Sequence, residues 1–157
     1  MTTCCFTGHR RLPRESYPAL RAATEAAVRR AYAAGCRRFF AGGALGFDML
    51  AAAIVTLLRD SEYPDVTLTL LLPCRDQDSR WSEGDRRRYA AMLAAADVVH
   101  TLSPAYYDGV MRERNRALVA SADLCIAYLT DRASGTGTTV AMAEHRGIPV
   151  WNLADEI

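Results

Sequence analysis

The residues best suited to chemistry in this sequence are the glycines and hydroxyl side chains of residues 134–139, which read Ser-Gly-Thr-Gly-Thr-Thr. An apolar run typical of a buried strand, residues 124–129, precedes them, and an alanine-rich helical stretch that ends at Gly147 follows. Such a turn lets the backbone approach a ligand closely, and the start of a helix adds partial positive charge. An ordinary turn rich in Gly and Thr is the alternative. The segment predicts a phosphate-binding loop formed by Gly135, Thr136, Gly137, Thr138 and Thr139.

A second candidate loop, residues 7–11, reads Thr-Gly-His-Arg-Arg and directly follows the first apolar run of the chain. Gly8 permits a tight turn there, and His9 and Arg10 carry N–H groups that can donate to an anion. A solvated basic loop is the alternative. Because we expect the preceding strand to be central in the sheet, we favour a binding role for this loop.

The third candidate loop, residues 42–48, reads Gly-Gly-Ala-Leu-Gly-Phe-Asp. Its paired glycines, Gly42 and Gly43, allow the backbone to approach a ligand, and Gly46 lets the next helix start against the sheet. Asp48 falls in the first helical turn, where a carboxylate either complements the helix dipole or accepts hydrogen bonds from a ribose or base. The glycines match neither the dinucleotide-binding fingerprint nor the P-loop of nucleotide triphosphatases.

A charged run on a later helix, residues 111–116, reads Met-Arg-Glu-Arg-Asn-Arg. Its members cannot all face one way, so some must form a solvated helix face. We expect one or two of its polar side chains to turn toward the site. Arg114 and Asn115 are the candidates, with Arg114 neutralising the charge of a bound anion together with Arg10.

Six candidate strands alternate with five helices, which predicts an α/β fold with a mostly parallel sheet and helices on both faces. Right-handed crossovers would place every strand-to-helix loop at one edge of the sheet, so the three candidate loops should meet there. The alternation of Thr67 and Thr69 with apolar residues is typical of a strand at the sheet edge. The predicted strands are residues 2–6, 38–41, 66–72, 98–102, 124–129 and 148–151.

Composition limits the kind of protein. The chain has 157 residues and no linker or low-complexity segment, which favours a single domain over residues 1–157. Its net charge of +1 argues against a nucleic-acid partner. The five cysteines form no CxxC pair and have no histidine cluster beside them, so we expect buried reduced thiols and no metal. No apolar run reaches membrane-spanning length and no secretion signal is evident, so we expect a cytoplasmic protein without a membrane partner.

Taken together, the motifs resemble one family. In chain order they are residues 4–10, residues 42–48, Leu72-Pro73-Cys74 with Gln77 and Trp81, Arg114-Asn115-Arg116, and residues 135–139. This combination is similar to the YpsA-like branch of the SLOG superfamily, a Rossmann-like bacterial group that includes the cytokinin-activating LOG enzymes and the DNA-processing protein DprA. The resemblance extends from Cys4 to about Asn152.

The resemblance implies a Rossmann-like fold and a site for a nucleotide or nucleotide derivative such as a nucleoside phosphate, NAD or ADP-ribose. On this interpretation, N–H groups of residues 135–138 hold the phosphate beside Gly42 and Gly43, and Asp48 takes the ribose or base. We favour a cytosolic sensor or regulator, because this function requires no catalytic side chain beyond the binding loops.

Catalysis is the first alternative. Arg114 occupies the place of the catalytic arginine of LOG enzymes, whose next motif is P-G-G-x-G-T-x-x-E. Here Gly137 and Thr138 match its G-T, but no acid follows at the expected place. A LOG-like hydrolase that cuts the base–ribose bond of a nucleoside monophosphate would need Glu144 or Asp48 in that role, because the developing oxocarbenium ion requires an acidic or anionic partner.

Two further expectations concern partners. Trp81, Tyr106 and Tyr107 beside arginines offer stacking surfaces for single-stranded nucleic acid, as in the comparison with DprA, and this is the second alternative. Arginine-rich and alanine-rich helix faces, together with the analogy to LOG dimers, predict a homo-oligomer of two or more copies.

Overall fold

A computed structural model describes residues 1–157 and contains six strands that alternate with five helices. The chain ends in a short 3-10 turn, Leu153–Glu156. In chain order the strands and helices are β1 (Thr3–Gly8), α1 (Tyr17–Ala33), β2 (Arg38–Ala41), α2 (Phe47–Ser61), β3 (Thr67–Cys74), α3 (Glu83–Ala95), β4 (Val98–Ser103), α4 (Val110–Ala120), β5 (Leu124–Tyr128), α5 (Gly135–Arg146) and β6 (Val150–Asn152).

All six strands are parallel and form one sheet in the order β4-β3-β2-β1-β5-β6. The first four strands are laid down outward from β1, and the chain then returns to the other side of β1 to add β5. Cys4 pairs with Phe39 of β2 and Leu124 of β5. The prediction that β1 is central is confirmed. The strand order therefore reverses between β1 and β5, which is where open α/β sheets bind ligands.

Helices cover both faces of the sheet, as predicted. Alternate residues of β1 point to opposite faces, so Cys4 and Phe6 join one core while Cys5 joins the other. The larger core contains residues of α1, α2 and α3, and the smaller one contains residues of α4 and α5. All five cysteines are buried and unpaired, in agreement with the expectation of reduced thiols.

The position predicted for the third strand is wrong. We expected it at the sheet edge, but β3 lies between β2 and β4, and Thr69 is buried. Threonine is β-branched and fits the interior of a sheet as well as a solvated surface, so its polarity is a weak sign of exposure. The edge is β4, where Val98 and Val99 are each 41% exposed.

Boundaries moved at two places that matter for the site. β1 extends to Gly8 and carries the first candidate loop closer to the sheet than predicted. β6 begins at Val150 and ends at Asn152, whose side-chain amide exchanges two hydrogen bonds with the backbone of Leu129. None of the helices combines the length and the apolar character that crossing a membrane requires.

Candidate functional site

A cavity of about 330 Å³ lies at the carboxyl ends of β1 and β5. Residues from all three candidate loops and from α4 line it, so the predicted meeting of these segments occurs. The predicted site residues on its wall are Gly8, His9, Arg10, Asp48, Arg114, Asn115, Gly135 and Thr136.

Arg114 is the most constrained of these side chains, since it is only 4% exposed. Its Nη1 donates to the carbonyl oxygen of Gly42, and its Nε donates to Asn115 Oδ1 at 2.8 Å. Its Nη2 has no partner in the protein, yet the only fully buried side-chain polar atom without a partner is Gln77 Oε1. Nη2 therefore remains accessible from the cavity. Burial lowers the pKa of Arg114, but a guanidinium stays charged in proteins.

The contact with Arg114 explains the glycine at position 42. A Cβ placed on Gly42 would lie 2.6 Å from Arg114 Nη1, so any other residue would displace the guanidinium. Gly43 has a φ of +72°, and a Cβ there would lie 2.5 Å from Leu72 Cδ2. We predicted that a ligand approaches these two glycines, but Arg114 and Leu72 occupy the space beside them. Neither glycine lines the cavity.

Asp48 lies in the first turn of α2 and is 6% exposed. Its Oδ2 accepts a hydrogen bond from the N–H of Ala44 at 3.1 Å, which leaves carboxylate lone pairs free for a ligand. Burial raises the pKa of Asp48, and the positive charges of Arg114 and Arg10 oppose that rise. The cavity therefore holds one buried cation and one buried carboxyl group.

The first loop holds two of its neighbours in place. His9 Nε2 accepts a hydrogen bond from the N–H of Thr130 at 2.9 Å, so His9 joins the ends of β1 and β5. We predicted that His9 donates to an anion, but with Nε2 occupied as an acceptor only Nδ1 can donate. The carbonyl of His9 accepts from the N–H of Phe47 at 3.1 Å. Gly46 has a φ of +79° and abuts the backbone of Arg10, which places it outside this cavity.

The amino end of α5 leaves two donors free. Ser134 caps the helix, with its Oγ accepting from the N–H of Gly137 at 3.1 Å. The N–H of Thr138 bonds to the carbonyl of Ser134, also at 3.1 Å. The N–H groups of Gly135 and Thr136 have no acceptor in the protein. Gly135 and Thr136 line the cavity, and their N–H groups are the part of the predicted phosphate-binding loop without a partner in the protein.

The rest of that loop is occupied within the protein. Gly137 packs against the backbone of Arg132 so closely that it has no room for a side chain. The hydroxyls of Thr138 and Thr139 donate to the carbonyls of Ser134 and Gly135 at 3.4 and 3.1 Å. Gly137, Thr138 and Thr139 therefore lie outside the cavity wall and shape the helix start.

Glu144, a candidate acid, lies elsewhere. Its two carboxylate oxygens accept from the guanidinium of Arg132 at 2.7 and 3.1 Å on the exposed side of α5. This pairing lowers the pKa of Glu144, whereas a general acid needs a raised one. Asp48 is the one acidic residue on the cavity wall. No group of three or more His, Cys, Asp or Glu residues is arranged to hold a metal ion.

Sequence reasoning missed several lining residues. Thr7, Ala44, Met111 and Ser134 lie in the candidate segments without having been singled out as ligand-binding residues, and Phe6 and Leu118 also contribute to the wall. Ser134 had a usable signal, because a serine directly before a helix is a typical N-cap. The others are ordinary residue types whose role depends on which neighbours the fold places beside them.

Comparison with known proteins identifies the same family that the sequence motifs resemble. A family model described as the YspA SLOG family matches residues 7–146. A UPF0398 protein of Shouchella clausii is 34% identical over 96 residues, covering 60% of this chain and 51% of that protein. The UPF0398 protein YpsA of Bacillus subtilis is 26% identical over 116 residues, covering 69% of this chain and 64% of that protein. The chain spans about half the length of the first of these relatives.

Solved structures share the fold at low sequence identity. DNA processing protein A of Helicobacter pylori, whose structure is described for its single-stranded DNA binding mode, matches with a TM-score of 0.62 and 20% identity over 95% of this chain and 63% of that one. The corresponding protein of Streptococcus pneumoniae has a TM-score of 0.66 and 15% identity over 95% of this chain and 49% of that one. The protein TM1055 has a TM-score of 0.59 and 17% identity over 99% and 79% of the two chains.

Proposed function

The chain belongs to the YspA SLOG family, and we propose that it binds a phosphorylated nucleoside or nucleotide derivative in the cavity between the carboxyl ends of β1 and β5. The bound state would act as a signal, so the protein is a sensor or regulator. We propose also that residues 1–157 act as one domain, since one continuous sheet runs through them.

The observation that carries this proposal is the free side of Arg114. Removing a guanidinium from water costs several kcal/mol of free energy. Hydrogen bonds and a bound anion can offset a cost of that size. Two of its nitrogens bond to neutral oxygen atoms of Gly42 and Asn115, and Nη2 is left for the cavity. The free N–H groups of Gly135 and Thr136 line the same space. A phosphate group suits this set, because it accepts several charge-assisted hydrogen bonds at once.

Asp48 supports the nucleoside part of the proposal. A carboxylate beside a phosphate site suits the hydroxyls of a ribose or the N–H groups of a base. The cavity volume of about 330 Å³ lies at the lower end of the range for small-ligand sites, roughly 300–1,000 Å³. One nucleoside phosphate matches this chemistry better than an extended polymer does.

A hydrolase is the second candidate, and the raised pKa of Asp48 favours it. A carboxyl group whose pKa is raised is better suited to donate a proton to a leaving base than an ordinary aspartate is. Glu144 is a poor choice for this role because Arg132 binds it and lowers its pKa. The hydrolase would therefore depend on Asp48 as acid and Arg114 as phosphate ligand.

Single-stranded DNA is an alternative occupant, favoured by the fold that the chain shares with the two DNA processing proteins. The arginines of α3 offer little support for it. Arg87 and Arg88 pair with Glu83 and Asp85 of the same helix. Acidic and basic side chains alternate here, so this helix forms no continuous basic track for a phosphate backbone.

A thermal-shift and calorimetry series tests these functions together. The panel is AMP, other nucleoside monophosphates, NAD, ADP-ribose and oligothymidylate. A ligand at 100 times its Kd should raise the free energy of unfolding by about 2.7 kcal/mol. No shift with any nucleotide would refute the proposal, and release of free base from a monophosphate would select the hydrolase.

Arg114→Met is the decisive variant, and Arg146→Met is its matched control. Arg146 Nη1 also donates to backbone carbonyls, those of Val119 and Ala122, at 2.6 and 2.9 Å, but it does not line the cavity. We expect Arg114→Met to weaken nucleotide binding by roughly one to two orders of magnitude, since a charged hydrogen bond contributes about 1.5–3 kcal/mol. Arg146→Met should leave the affinity unchanged.

A further inference from the structure

A second cleft, of about 580 Å³, adjoins the cavity. Arg10 and Met111 line both spaces, so the two are neighbours that share a wall. We propose that this cleft binds an aromatic ring carried by the same ligand, which makes the ligand a dinucleotide with one nucleoside in each space. The inference rests on the proposed nucleotide site and adds the class of ligand to it.

Two aromatic side chains form the wall that would receive the ring, Trp81 and Tyr106. Trp81 packs edge-on against the buried ring of Tyr89, with centroids 5.1 Å apart, which holds its orientation. Tyr106 is 60% exposed although it borders a concave surface. An exposed aromatic ring beside a fixed one in a cleft is a typical stacking site for a nucleobase.

Gln77, which also lines the cleft, carries the one buried side-chain polar atom without a hydrogen-bond partner. Gln77 Nε2 donates to the carbonyl of Gly43 and to the hydroxyl of Tyr89, both at 3.2 Å. These bonds fix the amide, because a flipped amide would face the Gly43 carbonyl with its own oxygen. Gln77 Oε1 is left buried without a donor. Unsatisfied acceptors are rare in native interiors and often mark functional places, and an amino group of a base would supply the donor after a small side-chain shift.

A positively charged side chain, Arg10, lies between the cavity and the cleft. Arg10 has no hydrogen bond or ion pair to any other side chain, although it borders both the cavity and the cleft. A second phosphate, placed between two nucleosides, would meet this guanidinium. Arg80 adds a further unpaired cation at the cleft. The phosphates of a dinucleotide would thus run from Arg114 past Arg10, with a ring at each end.

Single-stranded DNA would use the same stacking residues, but it needs cations beyond the cleft. The neighbouring arginine of α3, Arg86, faces Asp78 at 3.6 Å, and Arg87 and Arg88 pair with acids of their own helix. The two exposed arginines on the walls of the cavity and the cleft, Arg10 and Arg80, have no ion pair. Unpaired arginines also lie outside both spaces, among them Arg11, Arg75 and Arg112, so the test below includes oligothymidylate.

Calorimetry with three adenine ligands tests the proposal: AMP, ADP-ribose and diadenosine pyrophosphate. ADP-ribose extends AMP by a phosphate and a sugar without adding a second base, so it separates stacking from charge. We expect the affinity to rise from AMP to ADP-ribose and again to diadenosine pyrophosphate. Equal binding of ADP-ribose and diadenosine pyrophosphate would overturn the ring subsite while leaving the nucleotide site intact. Failure of all three to bind would overturn the nucleotide site itself.

Tyr106→Ala is the variant that isolates the ring, with Tyr107→Ala as its control. Both tyrosines are exposed neighbours, but Tyr107 does not line the cleft. We expect Tyr106→Ala to weaken diadenosine pyrophosphate by roughly 5- to 150-fold, the effect of losing one stacked base. AMP affinity should stay unchanged, and Tyr107→Ala should alter neither ligand. A Tyr106→Ala protein that loses oligothymidylate binding but keeps the dinucleotide would overturn the proposal in favour of single-stranded DNA.

Discussion

Arg114 on α4 lies against the backbone of Gly42 at the end of β2, and its Nη1 donates to the carbonyl oxygen of that glycine. The two residues are 72 positions apart in the chain. The contact holds a buried cation at the carboxyl ends of the strands, and the missing side chain of Gly42 provides the room for it. The two residues therefore form one functional unit, in which the glycine sets the position of the cation.

Gly42→Ala should disturb this unit directly. The new methyl group would lie 2.6 Å from Arg114 Nη1, so the guanidinium must move. We expect a loss of about 1–3 kcal/mol in the free energy of unfolding, as for other overpacked sites, together with a marked loss of AMP affinity. Chemical denaturation and calorimetry measure the two effects. Gly84→Ala on α3 is the control, since its methyl group would meet only the flexible end of Arg88, at 4.0 Å, and wild-type behaviour of both variants would contradict the prediction.

Gly135→Ala should separate binding from folding. A methyl group there would meet nothing within 4 Å, and the residue is the first of α5, where alanine is favoured over glycine. Stability should stay equal or rise by up to about 1 kcal/mol. The methyl group would crowd a phosphate on the free N–H groups, so AMP affinity should fall by roughly one to two orders of magnitude. Unchanged affinity in calorimetry would show that the phosphate lies elsewhere.

Gly43→Ala cannot separate binding from folding in the way that Gly135→Ala does, although both glycines lie in loops that the sequence predicts to bind phosphate. Gly43 has a positive φ, and its added methyl group would strike Leu72. A loss of binding there would follow from damage to the fold. The difference between the two positions comes from backbone angles and from a neighbour on β3, neither of which a local sequence pattern contains.

The topology was accessible from sequence because strand-like and helical stretches alternate regularly, and glycines end two of the helices, at Gly35 and Gly147. That regularity, with right-handed crossovers, brought the loops at Gly8, Asp48 and Gly135 to one cavity. What sequence could not provide were the contacts between distant segments. Arg114 donates a hydrogen bond to the carbonyl of Gly42, 72 residues away in the chain. The N–H of Thr130 donates to His9, 121 residues away. Both contacts depend on tertiary packing.

Self-association remains a prediction, and the structure suggests where it occurs. Each arginine of α3 already faces an acid of its own chain: Arg86 faces Asp78, and Arg87 and Arg88 face Glu83 and Asp85. β4 ends the sheet with an unpaired edge, and its residues Val98, Val99 and Leu102 are each about 40% exposed. Edge strands of this kind pair with other chains unless a charge prevents it.

We therefore expect a dimer or larger oligomer in light scattering at tens of micromolar, built through β4. Val99→Lys should shift the protein toward the monomer, because lysine at an edge opposes strand pairing. Leu57→Lys on α2 replaces another exposed apolar residue and should leave the mass unchanged. A monomeric wild-type protein would refute self-association, and an oligomer that Val99→Lys leaves intact would refute the β4 interface.

Asp48 should make the stability depend on pH in an unusual direction. Burial raises its pKa above the ordinary value, so the folded protein holds this proton more tightly than the unfolded chain. Its contribution to the free energy of unfolding is therefore greatest below the unfolded pKa and declines as the pH rises through the folded pKa. Exposed carboxylates such as Glu62 and Asp65 have lowered pKa values and act in the opposite direction.

Asp48→Asn isolates this contribution, because the exposed carboxylates are common to both proteins and cancel in the comparison. Asparagine keeps an oxygen for the N–H of Ala44 but does not titrate. The free energy of unfolding of the variant, minus that of the wild type, should increase as the pH rises through the window between the two pKa values of Asp48. It should then become constant at higher pH, where Asp48 is ionised in both states. Urea denaturation of both proteins from about pH 3.5 to pH 8 measures the difference. A difference that falls with pH, or stays flat throughout, would mean that Asp48 is not held in a site that disfavours its charge, and would remove the acid that the hydrolase alternative requires.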